Sequence, residues 1–127
     1  MITVKLSDII NSVDTFQIIM QQSFKGSLAF KIARLARELN REMEIFNSER
    51  QKILNEYCVK DKNNNLEADE NGNVKIIPDK ISEFNEIFAN LLDTTIDINA
   101  DKLPADQMDS FEISPQQMLN IEMFFEE

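Results

Sequence analysis

The sequence predicts an α+β fold that is mainly helical, with a long helical hairpin, a small β-sheet and a short C-terminal helix. Three observations indicate this class. The 127 residues include only two glycines and three prolines, too few for the many tight turns of sandwiches and barrels. A segment after residue 27 repeats apolar residues at helical spacing. Short segments near residues 2–6 and 94–98 alternate apolar and polar residues, as strands do.

The first half of the chain is predicted to contain a strand followed by two helices. After the strand at residues 2–6, Ser7 is a candidate N-cap for a helix that ends near Gln22. A second helix is predicted from Leu28 to about Tyr57. Its apolar stripe consists of Leu28, Ile32, Leu35, Leu39, Met43, Phe46, Ile53 and Tyr57. A helix of this length spans roughly 45 Å, so it either pairs with the first helix as a hairpin, which we favour, or projects and dimerises as a coiled coil.

The second half is predicted to alternate loops, short strands and one helix. Residues 61–73 are polar and include an Asn71-Gly72 turn. The strand that leaves this turn pairs with the weak segment 66–68. Asp79 is a candidate N-cap for a helix that ends near Leu92. Four segments are expected to build the small sheet, centred on Val4, Ile76, Ile96 and Phe111.

The last helix has the strongest local start signal. Ser114 is the expected N-cap, Pro115 occupies the first helical position, and Gln117 completes a capping box. Ile113 and Met118 have the spacing of a hydrophobic staple. A short helix is therefore predicted to end near residue 124 or 125.

The length of the chain predicts a single domain covering residues 1–127. The balance of charged residues nevertheless changes near residue 60. Residues 1–60, the strand and the two-helix hairpin, hold nine Lys and Arg against seven Asp and Glu, a balance of +2. Residues 61–127, the acidic α+β half, hold four against sixteen, a balance of −12. The total of −10 disfavours general nucleic-acid binding. No secretory signal or membrane-spanning apolar run is recognisable, which predicts a cytoplasmic protein.

The residue types present leave few routes to catalysis. The chain contains no histidine, which excludes His-based triads and His-containing metal sites, and the single Cys58 excludes zinc clusters and dithiol redox pairs. Two isolated glycines cannot form a phosphate-binding loop. We therefore predict no enzymatic activity, no cofactor and no metal, with carboxylate–magnesium chemistry as the enzymatic alternative. The loop from Asp61 begins like a calcium site, but Leu66 replaces its glycine and Gly72 its closing glutamate.

Two groups of residues are candidate binding surfaces. The first is a basic face on the long helix, formed by Lys31, Arg34, Arg37 and Arg41. It suits phosphate or an acidic protein surface, unless it is a solvated face neutralised by Glu38, Glu42 and Glu44. No aromatic residue is assigned to this face, which weakens the nucleic-acid interpretation. The second group either docks on a partner or packs on the core, and consists of Phe111, Met118, Met123, Phe124 and Phe125.

Acidic residues of the second half offer a further interpretation, as a mimic of nucleic-acid phosphate or simply as a solvated surface. These residues are Asp93, Asp97, Asp101, Asp106, Asp109 and Glu112. The uneven charge also leaves room for an acidic surface in this half that meets a basic partner protein.

The order of segments carries a resemblance that spans nearly the whole chain. The phrases concerned are the strand at residues 2–6, the run 29–34, the Asn-Gly turn with Lys-Ile-Ile-Pro at 75–78, the helix ending at 91–94, the Ile-Asp-Ile strand at 96–98 and the Ile-Ser-Pro of 113–115. In this order the sequence resembles a family of small proteins from tailed phages and prophages of low-GC Gram-positive bacteria. The resemblance implies a phage protein made in the host cytoplasm, and it carries over no active site.

We therefore expect a non-enzymatic phage accessory protein that binds a host or phage protein, such as a host defence or replication component. A homo-oligomer through the long helix is an additional expectation. One alternative is a virion or assembly component, either a connector or a chaperone. Another is a nucleic-acid or nucleotide binder that uses the basic face of the long helix.

Overall fold

A computed structural model describes residues 1–60, 62–63, 66–68 and 73–126. Its helices and strands are β1 Ile2–Lys5, α1 Leu6–Ile19, α2 Gly26–Tyr57, α3 Ile81–Leu92, β2 Thr95–Ile98 and α4 Pro115–Ile121. Short 3-10 helices cover Pro78–Lys80, Ala105–Ser110 and Glu122–Phe124. This confirms the mainly helical α+β prediction. The chain forms two compact units, residues 1–43 with 93–127 and residues 44–92, whose bounds differ from the change in charge near residue 60.

The sheet of the first unit is an antiparallel pair of strands. Ile2 lies opposite Ile98, and Val4 lies opposite Ile96. Ile2 and Val4 are buried while Thr3 between them is exposed, as expected for a strand with one face on the core. The predicted strand is confirmed, and its apolar residues form the buried face.

The sheet is smaller than predicted, because two of the four expected segments do not join it. Ile76 instead pairs with Cys58 within the second unit. Phe111 follows a 3-10 helix, and its backbone N–H donates to the carbonyl of Met108 at 3.1 Å. A backbone N–H used in such a turn is not available to a ladder with β2. The four-segment sheet is thus corrected to β1 and β2 among the described residues.

Helix α1 begins immediately after β1, two residues earlier than it would with Ser7 as its N-cap. The backbone N–H of Lys5 donates to the Asp8 carboxylate at 3.1 Å. A carboxylate in the first turn also interacts favourably with the positive end of the helix dipole. Asp8, rather than Ser7, therefore stabilises the start of α1.

The core of the first unit is built around one side of α2. Its central residues are less than 10% exposed and comprise Ile2, Ile9, Phe16, Ile19, Leu28, Ile32, Leu35, Leu39, Ile98, Leu103, Ile121, Phe124 and Phe125. Phe16 of α1 meets Phe124 edge-on, with ring centroids 5.5 Å apart. The first half of the predicted apolar stripe of α2 therefore lies in this core.

The predicted capping box at the start of α4 is confirmed. The Gln117 backbone N–H donates to the Ser114 hydroxyl at 3.2 Å, and the Ser114 N–H donates to the Gln117 side-chain oxygen at 2.8 Å. These two bonds satisfy N–H groups that otherwise lack a partner at a helix start. The local sequence signal was sufficient here because every group involved lies within four residues.

The second unit contains residues 44–57 of α2, the helix α3 and three short paired segments. Val59 N–H donates to the Lys75 carbonyl at 2.8 Å, Lys75 N–H to the Glu67 carbonyl at 2.9 Å, and Glu67 N–H to the Val59 carbonyl at 2.8 Å. The segments around Val59, Glu67 and Lys75 are therefore each hydrogen-bonded to the other two. The predicted pairing of segments 66–68 and 74–77 is confirmed, whereas the Asn71-Gly72 turn lies outside the described residues.

Tyr57 at the end of α2 holds α3 in the second unit. Its side chain is buried, and its hydroxyl donates to the Glu83 carboxylate at 2.8 Å. Its ring meets that of Phe84 at 6.3 Å, and the Lys80 ammonium lies 5.5 Å from its centroid. The hydrogen bond to Glu83, followed by burial and the Glu83 charge, raises the pKa of Tyr57 to about 12.

The pKa of Tyr57 can be read directly, because it is the single tyrosine in a chain without tryptophan. We expect phenolate absorbance to titrate with a midpoint near pH 12, above the usual tyrosine value of about 10. Glu83→Gln removes the charge while keeping a hydrogen-bond acceptor, so it should lower the midpoint. A wild-type midpoint near the usual value would contradict the Tyr57–Glu83 contact.

The same shift predicts how stability changes in alkali. The folded-state pKa is raised, so the stabilising contribution is complete below the unfolded-state pKa of about 10 and is lost as pH rises toward about 12. Urea unfolding across that range should show a steeper loss for the wild type than for Tyr57→Phe, which lacks the titrating phenol. Parallel losses in the two proteins would contradict the linkage.

Candidate functional site on the outer face of helix α2

The predicted basic residues lie on the side of α2 that faces away from the core. Arg34, Arg37 and Arg41 are exposed, and Lys31 at the edge is half-buried. They follow one another at spacings of three or four residues, which keeps them on one side of a helix. Leu35 and Leu39, on the opposite side, are at most 2% exposed. The structure thus brings the four cations together on one solvent-facing surface.

An aromatic residue belongs to this surface, contrary to the sequence-based expectation. Phe30 is 67% exposed and lies four residues before Arg34 and seven before Arg37. These spacings place Phe30 on the same side as the arginines. The helical spacing alone could have identified it. We call the surface formed by Phe30, Arg34, Arg37 and Arg41 the Arg–Phe face.

Glu38 neutralises the Arg–Phe face weakly. Its carboxylate lies 3.9 Å from Arg37 Nε and 3.9 Å from Arg41 Nη1, and its side chain is 19% exposed. Both distances exceed hydrogen-bond length, so these are loose ion pairs. Among the described residues, no carboxylate lies within 4.0 Å of the Arg34 guanidinium. The face therefore keeps a net positive charge.

The C-terminal aromatic cluster lies in the core. Phe111, Phe124 and Phe125 are buried, and the rings of Phe111 and Phe125 meet edge-on at 5.3 Å. Met118 and Met123 pack against the same core. The backbone N–H of Leu103 donates to the Phe124 carbonyl at 2.8 Å, which fastens this segment to the core. Core packing therefore replaces the docking interpretation for Phe111, Met118, Met123, Phe124 and Phe125.

Two of the acidic side chains proposed as a phosphate mimic contact side chains of β1. Asp93 Oδ1 lies 2.7 Å from Lys5 Nζ, and Asp97 accepts a hydrogen bond of 2.7 Å from the Thr3 hydroxyl. Thr3 and Asp97 are directly opposed in the β1–β2 pairing, and Asp93 lies two residues before β2 begins. These carboxylates therefore have a structural role in the first unit. All six of these acidic residues are exposed, and the remaining four are Asp101, Asp106, Asp109 and Glu112.

Groups suited to catalysis or metal binding do not converge in the part of the chain that the structure describes. Cys58 is buried, and burial raises the pKa of its thiol. No three Asp, Glu, Cys or His side chains are close enough there to hold a metal ion. Asp61, Asn64 and Asn65 of the calcium-like loop lie outside the described residues. No described helix is both long and apolar enough to span a membrane.

The assignment of the two sides of α2 predicts opposite effects of truncation. Leu35 is fully buried, so Leu35→Ala should lower the free energy of unfolding by about 2–5 kcal/mol through lost burial and a residual cavity. Arg34 is exposed, so Arg34→Ala should change it by less than about 0.5 kcal/mol. Urea denaturation measures both values. Equal losses would show that the outward face is assigned wrongly.

Comparison with known proteins gives no relative for this arrangement, since no protein-family model, curated protein or solved structure matches the chain. The function of the Arg–Phe face is therefore argued from its own residues.

Proposed function

We propose that this is a non-enzymatic accessory protein that binds another protein through the Arg–Phe face of α2. The observation that supports this is Phe30, 67% exposed, among three exposed arginines on one rigid helix. Arginine and large aromatic residues supply a disproportionate share of binding energy in protein interfaces. A helix also presents them with little flexibility, which lowers the entropy lost on binding.

The charge of this face favours an acidic partner. Among the described residues no carboxylate lies within 4.0 Å of the Arg34 guanidinium, and Glu38 only loosely pairs with Arg37 and Arg41. Two copies of the protein meeting through this face would bring six arginines together, which like-charge repulsion opposes. The expected homo-oligomer through this part of α2 is therefore less favourable than a complex with an acidic protein surface.

A nucleic acid is the second candidate, because bases stack on exposed aromatic rings that are flanked by arginines. Phe30 supplies the single ring of this kind on the face. The net charge of −10 opposes approach to a phosphate backbone. We therefore place an acidic protein first.

The absence of histidine in the sequence and the raised thiol pKa of Cys58 support a role without catalysis. The resemblance to phage proteins suggests the host cytoplasm as the site of action. A host defence or replication component, or another phage protein, would then be the partner. These assignments, and the alternative of a virion component, remain predictions.

Site-specific photo-crosslinking tests the proposal. A photoreactive phenylalanine at position 30, expressed in a low-GC Gram-positive host with and without phage infection, should form an adduct with one protein. The same residue at position 119 is the control, because Leu119 is 57% exposed but lies on α4. Arg34→Glu with Arg41→Glu should reduce the position-30 adduct about tenfold, corresponding to about 1.4 kcal/mol.

Three results would contradict the proposal. The first is the same adduct from both positions, and the second is an adduct unaffected by charge reversal. The third is an adduct that nuclease digestion removes, which would support the nucleic-acid candidate instead.

A further inference from the structure

A groove runs between α1 and α2, next to the Arg–Phe face. One cavity of about 410 Å³ is lined by residues that include Phe16, Met20, Ala36 and Asn40. A second cavity of about 260 Å³ is lined by residues that include Met20 and Ala33. The two cavities adjoin at Met20, which lines both, and we call them together the α1–α2 groove. All of these residues belong to the first unit.

The lining of the α1–α2 groove suits an apolar ligand with limited polar contact. Its base is formed by Phe16 and Leu39, both buried, and Met20 beside them is 50% exposed. Methionine adapts to irregular apolar surfaces. Gln17 and Asn40 offer neutral amides at the edges. The groove can therefore bury apolar side chains and hydrogen-bond polar groups along its borders.

The dimensions of the groove match a short helix better than an extended peptide. From Ala29 to Asn40 on α2 the groove is roughly 16 Å long, about three helical turns. An extended peptide needs partners for its backbone N–H and C=O groups, and the backbones of two flanking helices have none to offer because their own groups are paired within each helix. A helix satisfies its own backbone groups and can insert side chains at spacings of three and four residues.

The charges beside the groove favour acidic residues on that helix. Arg37 lies four residues after Ala33 and three before Asn40, so it borders the groove on α2. Lys25 lies beyond the other end of the groove. It lines a third cavity together with Ser23 and Phe24, which also line the second cavity. Asp14, three residues before Gln17, is an acidic residue on the same side of α1. Glu112, whose backbone exchanges two hydrogen bonds with the Gln22 side chain of the second cavity, is an acidic residue near the Lys25 end. Each end thus has one cation and one carboxylate nearby, and the excess of positive charge comes from the arginines of the Arg–Phe face along the α2 border.

We infer that the α1–α2 groove receives an acidic amphipathic helix of the partner protein. The apolar side of that helix lies on Phe16 and Met20, and its acidic side faces Arg37 and the Arg–Phe face. This inference rests on the proposed function, because it specifies the form of the partner that the Arg–Phe face attracts.

Two synthetic helical peptides of about three turns test the inference. They share one leucine face, and their polar positions are all glutamate in one and all lysine in the other. In fluorescence anisotropy with the full chain, the glutamate peptide should bind at least about tenfold more tightly. Met20→Glu should weaken that binding about tenfold. Ala33→Trp, which fills the groove without adding charge, should do the same.

Control variants separate the groove from general effects. Leu119→Glu places the same new charge on a similarly exposed apolar position of α4 and should leave binding unchanged. Asp14→Asn removes the acidic residue beside the groove and should tighten binding of the glutamate peptide. Circular dichroism of each variant establishes that its helices are intact.

The inference is overturned if neither peptide binds, if both bind equally, or if Met20→Glu and Ala33→Trp leave binding unchanged. Its failure is distinguishable from failure of the proposed function. Loss of peptide binding by Arg34→Glu but not by the groove variants would overturn the groove site while supporting an acidic partner at the Arg–Phe face. Likewise, a specific crosslink from position 30 stands independently of the peptide result.

Discussion

Burial of one side of α2 determines which residues of this helix meet solvent. Leu28, Ile32, Leu35 and Leu39 are each at most 6% exposed in the core of the first unit. Exposing them by rotating the helix would lose roughly 1.5–3 kcal/mol for each side chain. The opposite side, which carries Phe30 and the arginines, is therefore held outward by the hydrophobic effect rather than by contacts of its own.

Local signals in the sequence predicted the elements whose stabilising groups lie close together in the chain. The stripe of α2 and the Ser114 capping box are of this kind. The buried side of α1 was harder to identify from the sequence, because apolar residues occur around much of the helix. Ile18 in its last turn and Met20 just after it are 39% and 50% exposed. The buried side instead includes Ser12, whose hydroxyl donates to the Ile9 carbonyl at 2.7 Å. A hydroxyl satisfied by its own helix can be buried at little cost, and hydropathy does not reveal this.

The candidate site, like the fold, was predictable where its residues lie close together in the chain. The spacing of the arginines identified the basic face, and Phe30 is found by the same spacing once every residue type is placed on the helix. The C-terminal rings could not be assigned from sequence, because apolar character alone does not distinguish a core from a docking surface. Their burial depends on the pairing of Leu103 with Phe125, residues far apart in the chain. The α1–α2 groove depends equally on the tertiary arrangement of two helices.

The acidic character of the chain as a whole is compatible with an acidic partner. The net negative charge of the chain and the positive charge of the Arg–Phe face act over different distances. Exposed charges are screened over about 8 Å at physiological ionic strength. The net charge of −10 therefore mainly slows the approach of an acidic protein, whereas Arg34, Arg37 and Arg41 act after contact. Added salt would relieve the long-range repulsion and weaken the attraction of the arginines, while sparing apolar contacts in the groove. A nucleic acid held through phosphates lacks the compensating apolar contacts, so its affinity would fall more steeply as salt rises.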